Sequence, residues 1–287
     1  MFFKKKRVRA LNNIKENIIE TITLNRFQEA SKIPKRITDN NNFVEDEVVV
    51  SLTTYSKRIN DVYLVIESIA QQTIKPNRFI LWLSDDEFTI DTIPQTLKCR
   101  LEQGLEVRFC KDIKSYKKIV PTLDLCPNSI IITIDDDYIY PHDTIESLLL
   151  EHRQHPKAVI GNRAHEIVFK SSEIDKYRKW NKEVDYQSKN LFVTGCGGIL
   201  YPPKSLHPKV MDIDLFTELS PHADDLWLFA MAKLNGTEIR RSNGRRFSDF
   251  VELPGNKDMG LNQINVKGRK NDDQMEAICK NLDLVLV

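Results

Sequence analysis

Three consecutive carboxylates, Asp135, Asp136 and Asp137, follow an apolar run in the stretch SIIITIDDDYIYP (129–141). Adjacent anions repel one another and lose hydration when partly buried, so a cleft tolerates them mainly with a cation present. Hard divalent ions such as Mg²⁺ and Mn²⁺ take oxygen ligands, often one or two from protein, with water and substrate phosphates completing the shell. A solvated acidic turn capping a core strand accounts for the same three residues. A second acidic pair, Asp224-Asp225, opens a helical pattern just after Pro221. The helix dipole favours carboxylates there; the chemical alternative is that one accepts a proton or a hydrogen bond from a substrate hydroxyl. Glycines at three of the four positions in Gly195-Cys196-Gly197-Gly198 permit close backbone approach to a ligand, or simply a tight turn. There is no GxGxxG and no Walker sequence.

These groups need rigid elements to hold them. Ile130, Ile131, Ile132 and Ile134, entered through Pro127-Asn128, predict a buried strand that delivers the aspartates at its end. A strand from Val48 ends in Thr53-Thr54, and a helix over Asp61–Gln72 presents Val62, Val65, Ile66 and Ile69, with Asp61 as N-cap. Phe79–Leu83 predicts a strand ending in Ser84-Asp85-Asp86. A short helix through Leu97 and Leu101 stops at Gly104. Leu105, Val107 and Phe109 alternate as in a half-exposed strand, and Tyr116–Leu125 predicts a helix that Pro121 starts or kinks. Asp143 and Glu146 have capping-box spacing for a helix to about His155. Strands are expected at Ala158–Ile160 and Leu191–Thr194, around a polar, irregular stretch at 163–190. The last predicted helix starts at Pro221, carries Leu226, Phe229, Ala230 and Leu234 on its apolar face, and ends at Gly236. This alternation is that of a mainly parallel sheet with helices on both faces. Ligands bind beyond the carboxyl ends of such strands, where Thr53-Thr54, Asp85-Asp86 and the three aspartates would converge.

Composition narrows the function classes. A formal charge of +1 over 287 residues gives no global field for nucleic acid. Five cysteines without CxxC or metal-ligand spacing fit reduced thiols in a cytosolic compartment. No apolar run reaches transmembrane length, and no signal-peptide core follows Lys4-Lys5-Lys6-Arg7. Residues 1–46 read as a basic amphipathic helical extension carrying Ile14, Ile18, Ile19, Ile22 and Leu24, with Thr38–Asn42 as a linker. Such a helix can lie at an anionic membrane surface or pack on the domain. The expected location is cytoplasmic, with peripheral contact at the inner face of the membrane as the role of that helix. The remaining boundaries are 47–141, 142–239 and 240–287. The last is basic at first (Arg240, Arg241, Arg245, Arg246) and reads either as a mobile segment closing over a phosphate-bearing group or as a solvated face.

Taken in order, SLTTYSKR, IAQQTIKPNRFILWLSDD, SYKKIVP, TIDDDYIYP, GCGGILYPP and HADDLW resemble the GT-A family of nucleotide-sugar-dependent glycosyltransferases, particularly bacterial enzymes that build capsule or lipopolysaccharide. The resemblance runs from about Val48 to Leu234. It implies an α/β, GT-A (Rossmann-like) sheet: 47–141 is the nucleotide-sugar-binding half and 142–239 the acceptor and catalytic half of one domain. It implies Mn²⁺ or Mg²⁺ held by Asp137 and Asp135, with Asp135 or Asp136 near the ribose or donor sugar. Thr53, Tyr55 and Arg58 would line the nucleotide pocket, Asp85 and Asp86 would meet the base, and Lys117 and Lys118 would place a cation near base or phosphate. Gly197 and Gly198 would flank donor sugar and acceptor. Asp225, with Asp224 beside it, would be the base that activates an acceptor hydroxyl of a glycan or lipid-linked glycan. The triple aspartate also resembles that of retaining exostosin-type transferases, which leaves the stereochemical course open. The rival readings are a haloacid-dehalogenase-type phosphohydrolase, a non-catalytic nucleotide-sugar-binding module and a nucleotidyltransferase. The first wants Thr or Val where Ile139 stands; the last wants a glycine-rich basic loop after the first strand.

Overall fold

Runs that are apolar on both faces are satisfied only at the centre of a covered sheet, and that requirement places the two most β-branched segments side by side. In a computed structural model, which describes residues 2–40, 43–171, 173–254, 270–284 and 286, a 30-residue helix α1 (Phe2–Ser31) precedes β1 (Val48–Thr53). Then follow α2 (Val62–Ala70), β2 (Arg78–Ser84), α3 (Gln95–Leu101), β3 (Leu105–Cys110), α4 (Val120–Leu125) and β4 (Ile130–Thr133). The two-residue strand β5 (Tyr138–Ile139) leads to α5 (Thr144–Gln154) and β6 (Val159–Gly161). Short strands β7 (Ala164–Glu166), β8 (Phe169–Lys170), β9 (Glu173–Ile174) and β10 (Leu191–Val193) lie between β6 and β11 (Ile199–Tyr201). The chain continues through α6 (Ile213–Leu219), α7 (Asp224–Leu234), β12 (Ile239–Arg241), β13 (Val251–Glu252) and α8 (Lys270–Asn281).

The central sheet has seven strands in the order β12-β6-β11-β4-β1-β2-β3. β4, β1, β2 and β3 run parallel, β12 is parallel to β6, and only β11 is antiparallel to its neighbours β4 and β6. This is the mainly parallel, helix-flanked α/β arrangement expected from the sequence. Alternate residues face opposite sides of a strand. Ile130, Ile132 and Ile134 accordingly join Val48, Val50 and Leu52 in one apolar cluster with α2 and α5. Ile131 joins the cluster built on α7 and α8. The central strands thus fix which way the chain leaves each strand end, and so where the polar ends meet.

Several local expectations are corrected. Asp61 precedes α2, but its side chain caps nothing, and the helix ends at Ala70 rather than Gln72. Asp143 and Glu146 form no capping box: Asp143 pairs with Arg245 at 2.8 Å, and Glu146 accepts from Thr73 at 2.7 Å. Leu191–Val193 is a strand outside the main sheet, paired with β7. The start of the expected linker is docked, since Ile37 is fully buried and the amides of Ile37 and Asp39 donate to Gln103 and Pro76 at 2.9 and 3.0 Å. Residues 240–254 are also built in. β12 forms one sheet edge, β13 pairs antiparallel with β5, and Arg240 and Arg245 pair with Glu151 and Asp143 rather than facing a ligand. Residues 255–269, the rest of the segment read as mobile, lie outside the described residues. On α1, Phe27 is buried and Leu24 packs on the domain, whereas Ile14, Ile18, Ile19 and Ile22 are exposed. Among the described residues no helix is long and apolar enough to cross a membrane.

The α2–α3 layer is locked by an ion pair between Glu67 and Arg100 at 2.7 Å, both almost fully buried. Arg100 also donates to Gln103 at 2.6 Å and to the Ser31 carbonyl at 3.2 Å, which ties the end of α1 to the domain. Removing one member of a buried pair strands the other charge. Glu67→Ala should therefore lower the unfolding free energy by about 3–5 kcal/mol in a urea titration; a loss within that of an ordinary surface substitution would show the pair is not sequestered.

Candidate functional site

The acidic motif begins two residues beyond β4, after Ile134, which still donates its amide to the Ser51 carbonyl on β1, and the chain then turns through Asp136 and Asp137. The three carboxylates have different surroundings. Asp136, in the middle, is buried and fully used: Arg58 Nη1 donates to Oδ1 at 2.6 Å and Thr54 Oγ1 to Oδ2 at 2.6 Å. Asp135 meets the Nζ of Lys118 at 2.6 Å, and its amide donates to the Tyr140 hydroxyl at 2.8 Å. Asp137 lies 3.3 Å from Arg58 Nη1 through Oδ2, while its Oδ1 is buried with no hydrogen-bond partner. Burial, then the charges of Asp135 and Asp136, raise the Asp137 carboxyl to about 7, with Arg58 opposing.

Lys118 joins this motif to the second acidic pair. It precedes α4 in the 3₁₀ turn Lys114–Lys118, and its Nζ also reaches Asp224 Oδ2 at 3.0 Å. Burial alone would lower its basicity; Asp135, Asp224 and Asp225 outweigh burial and hold it firmly protonated. Asp225, in the first turn of α7, accepts the Gly195 amide at 3.0 Å. Burial and then the charge of Asp224 push its carboxyl up to about 7, against the pull of Lys118. Gly195 sits where these groups meet: a Cβ there would lie 3.0 Å from Asp225 Oδ1, 3.1 Å from Lys118 Nζ and 3.3 Å from Asp135 Oδ1. Five carboxylates and two cations, Arg58 and Lys118, are therefore gathered at the strand ends.

The other sequence candidates distribute unevenly. Tyr55 is partly exposed with the Arg58 guanidinium 5.2 Å above its ring, so both border the cleft. Thr53 spends its hydroxyl on the Trp82 carbonyl at 2.9 Å, and its neighbour Thr54 is the threonine that meets the motif. Asp85 and Asp86 are exposed at the end of β2, and among the described residues no ion pair reaches them. Lys117 is buried and turned to Asp112, away from the three aspartates. Gly197 lacks a side chain because the Arg163 backbone occupies that space, and Gly198 adopts φ +81, which favours glycine. Sequence reasoning placed Thr54 at a converging strand end and Gly195 in the glycine turn without giving either a role of its own, and it missed Arg163. Arg163 donates through Nη1 to Thr194 Oγ1 and Cys196 Sγ at 3.1 and 3.3 Å, beside the glycine turn.

The fit of a divalent cation can be judged from these oxygens. Among the described residues no group of three or more His, Cys, Asp or Glu could hold a metal ion by itself. A buried, unpartnered carboxylate oxygen on Asp137, with its charge disfavoured by two neighbouring anions, suits a cation whose remaining ligands come from substrate phosphate and water. Asp135 would share such an ion with Lys118.

The fold aligns with a mannosyltransferase from Pyrobaculum calidifontis, solved in complex with GDP-Man and Mn²⁺, at a TM-score of 0.51 and 12% identity, covering 95% of this chain and 74% of that one. It also matches an inositol-1-phosphate CTP transferase from T. maritima (TM-score 0.41, 13% identity, 82% and 96% covered). No family model matches the sequence, and no curated protein does. At 12% identity the likeness to the mannosyltransferase shows a shared α/β fold.

The two glycines give an ordered test of the packing. A Cβ at Gly197 would come within 2.8 Å of the Arg163 backbone nitrogen, whereas at Gly195 it meets only side-chain ends. Gly197→Ala should cost about 2–3 kcal/mol and Gly195→Ala about 1 kcal/mol of stability in denaturant melts. The reverse order would mean the turn is not packed as described.

Proposed function

We propose that the protein is a metal-dependent glycosyltransferase that moves a sugar from a nucleotide-sugar donor to a hydroxyl of a glycan or glycolipid. The observation that carries this reading is the Lys118 bridge. One buried ammonium ties the strand-end aspartates to the helix-start pair, which supports reading the first as the diphosphate-binding edge and the second as the source of the base. No glycine-rich loop follows β1, where the chain instead enters the 3₁₀ turn Ser56–Asn60, so nucleotidyl transfer has less support.

Asp137, with Asp135, would hold Mn²⁺ or Mg²⁺, whose contribution is Lewis-acid stabilisation of charge on the leaving diphosphate. Arg58 fixes Asp136 and Asp137 in orientation and adds positive charge at the same edge. Lys118 holds Asp135 and Asp224 apart from each other's repulsion and faces the same cleft. Asp225 would take the proton of the acceptor hydroxyl. A base titrating near neutrality combines an adequate deprotonated fraction with useful proton affinity, and Asp225 is raised to about 7 for that task. The Gly195 amide holds Oδ2 and so orients the carboxylate.

A second assignment concerns location. The exposed Ile14, Ile18, Ile19 and Ile22, on a helix whose sequence begins with a basic run, suit docking at an anionic bilayer surface near a lipid-linked acceptor. The full chain should co-sediment with phosphatidylserine-containing vesicles and not with neutral ones. Deletion of residues 1–23, which spares Phe27 and Ile37, should abolish this; equal sedimentation after deletion would refute the assignment.

The chemistry is tested by separating donor binding from transfer. Calorimetry with nucleoside diphosphates and Mn²⁺ should show metal-dependent binding that Asp137→Ala abolishes. Asp225→Ala should keep that binding and lose transfer by roughly a hundred- to thousandfold. Binding without any transfer by the wild-type chain over a broad acceptor panel would favour a binding module instead. Because Asp225 is raised above the usual carboxylate range, its active, ionised form accumulates as pH rises through about 7. Transfer should therefore climb with pH below about 7 and level off above it. Asp224→Asn, which removes a like charge, should move that limb to lower pH.

A further inference from the structure

The polar stretch between β7 and β10 is unaccounted for by donor chemistry. Tyr177 opens the 3₁₀ turn Tyr177–Lys179, and its ring packs edge-on to Phe192 and tilted on Trp180, with centroids 6.1 and 4.8 Å away. Its hydroxyl is pushed up by burial and then by the charge of Asp225, with Arg163 opposing. Arg163 is tied through Thr194 and Cys196 to the glycine turn whose Gly195 amide holds Asp225. The Nζ of Lys182 stands 3.4 Å from the centroid of the Tyr177 ring. Arg163 lies 4.3 Å from the ring centroid of Phe247, and its Nε and Nη2 are held by Glu183 at 3.2 and 3.0 Å.

We propose that Tyr177, Lys182 and Arg163 form the acceptor subsite, and that it selects a saccharide carrying an anionic group, a carboxylate or a phosphate. The assignment rests on the transfer reading for its place beside Asp225. Three observations point to an anionic ligand. Lys182 makes no ion pair among the described residues and is held over an aromatic face instead. Lys182 is the sequence neighbour of Glu183, which holds Arg163 at 3.0 Å, and burial and then Arg163 bring the Lys182 ammonium down to about 8, against the pull of Asp272. An anion between them would relieve that repulsion. The present counter-ion of Arg163, Glu183, is itself solvent-exposed, 48% by side chain, and sits at φ +52, a left-handed conformation that a glutamate adopts only at some cost. A displaceable internal carboxylate in a strained position is what a site built for an external carboxylate or phosphate would carry. Tyr177 supplies a ring edge and hydroxyl against which a sugar can rest with its reacting hydroxyl toward Asp225.

The test uses the full chain and three probes: glucuronate, glucose 6-phosphate and glucose, with binding read by saturation-transfer NMR and calorimetry. The acidic probes, or one of them, should bind about tenfold or more tightly than glucose, the scale of one well-formed charge-assisted contact. Which acidic probe binds identifies the anionic group. Lys182→Gln and Lys182→Glu, changes at an exposed residue that should leave the melting curve in place, should remove the preference, bringing acidic and neutral probes to equal affinity. Glu183→Gln should strengthen binding of the acidic probe. Equal affinity for acidic and neutral probes, no binding of either, or a preference that survives Lys182→Glu would overturn the proposal. None of these readouts needs a nucleotide. Failure here leaves metal-dependent diphosphate binding intact, whereas failure of the transferase reading appears as loss of that binding.

Discussion

The cleft depends on one buried ammonium. Lys118 is the cation that three elements share: the turn before α4 carries it, β4 delivers Asp135 to it, and α7 delivers Asp224. Burying an isolated lysine is expensive and normally drives it neutral. Here the surrounding carboxylates reverse that outcome, and the lysine in turn makes two acidic clusters compatible in a small volume. Gly195 completes the arrangement by absence, since any side chain would occupy the gap between Lys118, Asp135 and Asp225. Fold and site are therefore coupled at this point: the same contact that holds the end of the central strand β4 to the start of α7 joins the two acidic groups.

Two cations cannot neutralise five carboxylates, and the residual charge is distributed unevenly. Arg58 and Thr54 satisfy Asp136, which becomes a structural anchor. Asp137 is left with an unpartnered oxygen, and Asp225 is oriented by a backbone amide with Asp224 as a repelling neighbour. Carboxylates whose environments separate their proton affinities are the usual basis for separate chemical roles. Here burial raises Asp136, Asp137 and Asp225 alike, and what distinguishes them is which groups hold their oxygens.

Much of this was legible in the chain. The isoleucine run before Asp135, the strand from Val48 and the apolar face at Leu226, Phe229 and Ala230 obey simple periodicities, and they place both acidic groups on the correct elements. Finer positions were not, because strand neighbours differ by which face they occupy. Thr53 and Thr54 have the same side chain, yet one binds the Trp82 carbonyl and the other binds Asp136. Likewise Lys117 and Lys118 are adjacent, but only one reaches the aspartates. Arg163 carried no periodic signal at all; it sits after a short strand in a polar stretch, and only tertiary packing against Phe247 and the Gly197 turn brings it to the cleft.

The described segments after Arg240, residues 241–254 and 270–284, are packed against the acidic elements. β13 pairs with β5 next to the acidic motif, and the Leu253 amide donates to the Asp137 carbonyl at 2.8 Å. Phe250 packs edge-on against Tyr140, whose hydroxyl receives the Asp135 amide. On the other side, α8 reaches both walls beside Asp225: Asp272 accepts the Tyr177 amide at 2.6 Å, and Gln274 accepts the His222 amide at 3.0 Å. Neither contact is hydrophobic enough to leave a pattern in sequence, since each satisfies a backbone amide that would otherwise be stranded in a half-buried turn. The backbone at Asp137, Tyr177 and His222 is thus held by residues that lie far away in the chain. The orientation of the acidic groups becomes a property of the completed fold rather than of the motifs that carry them.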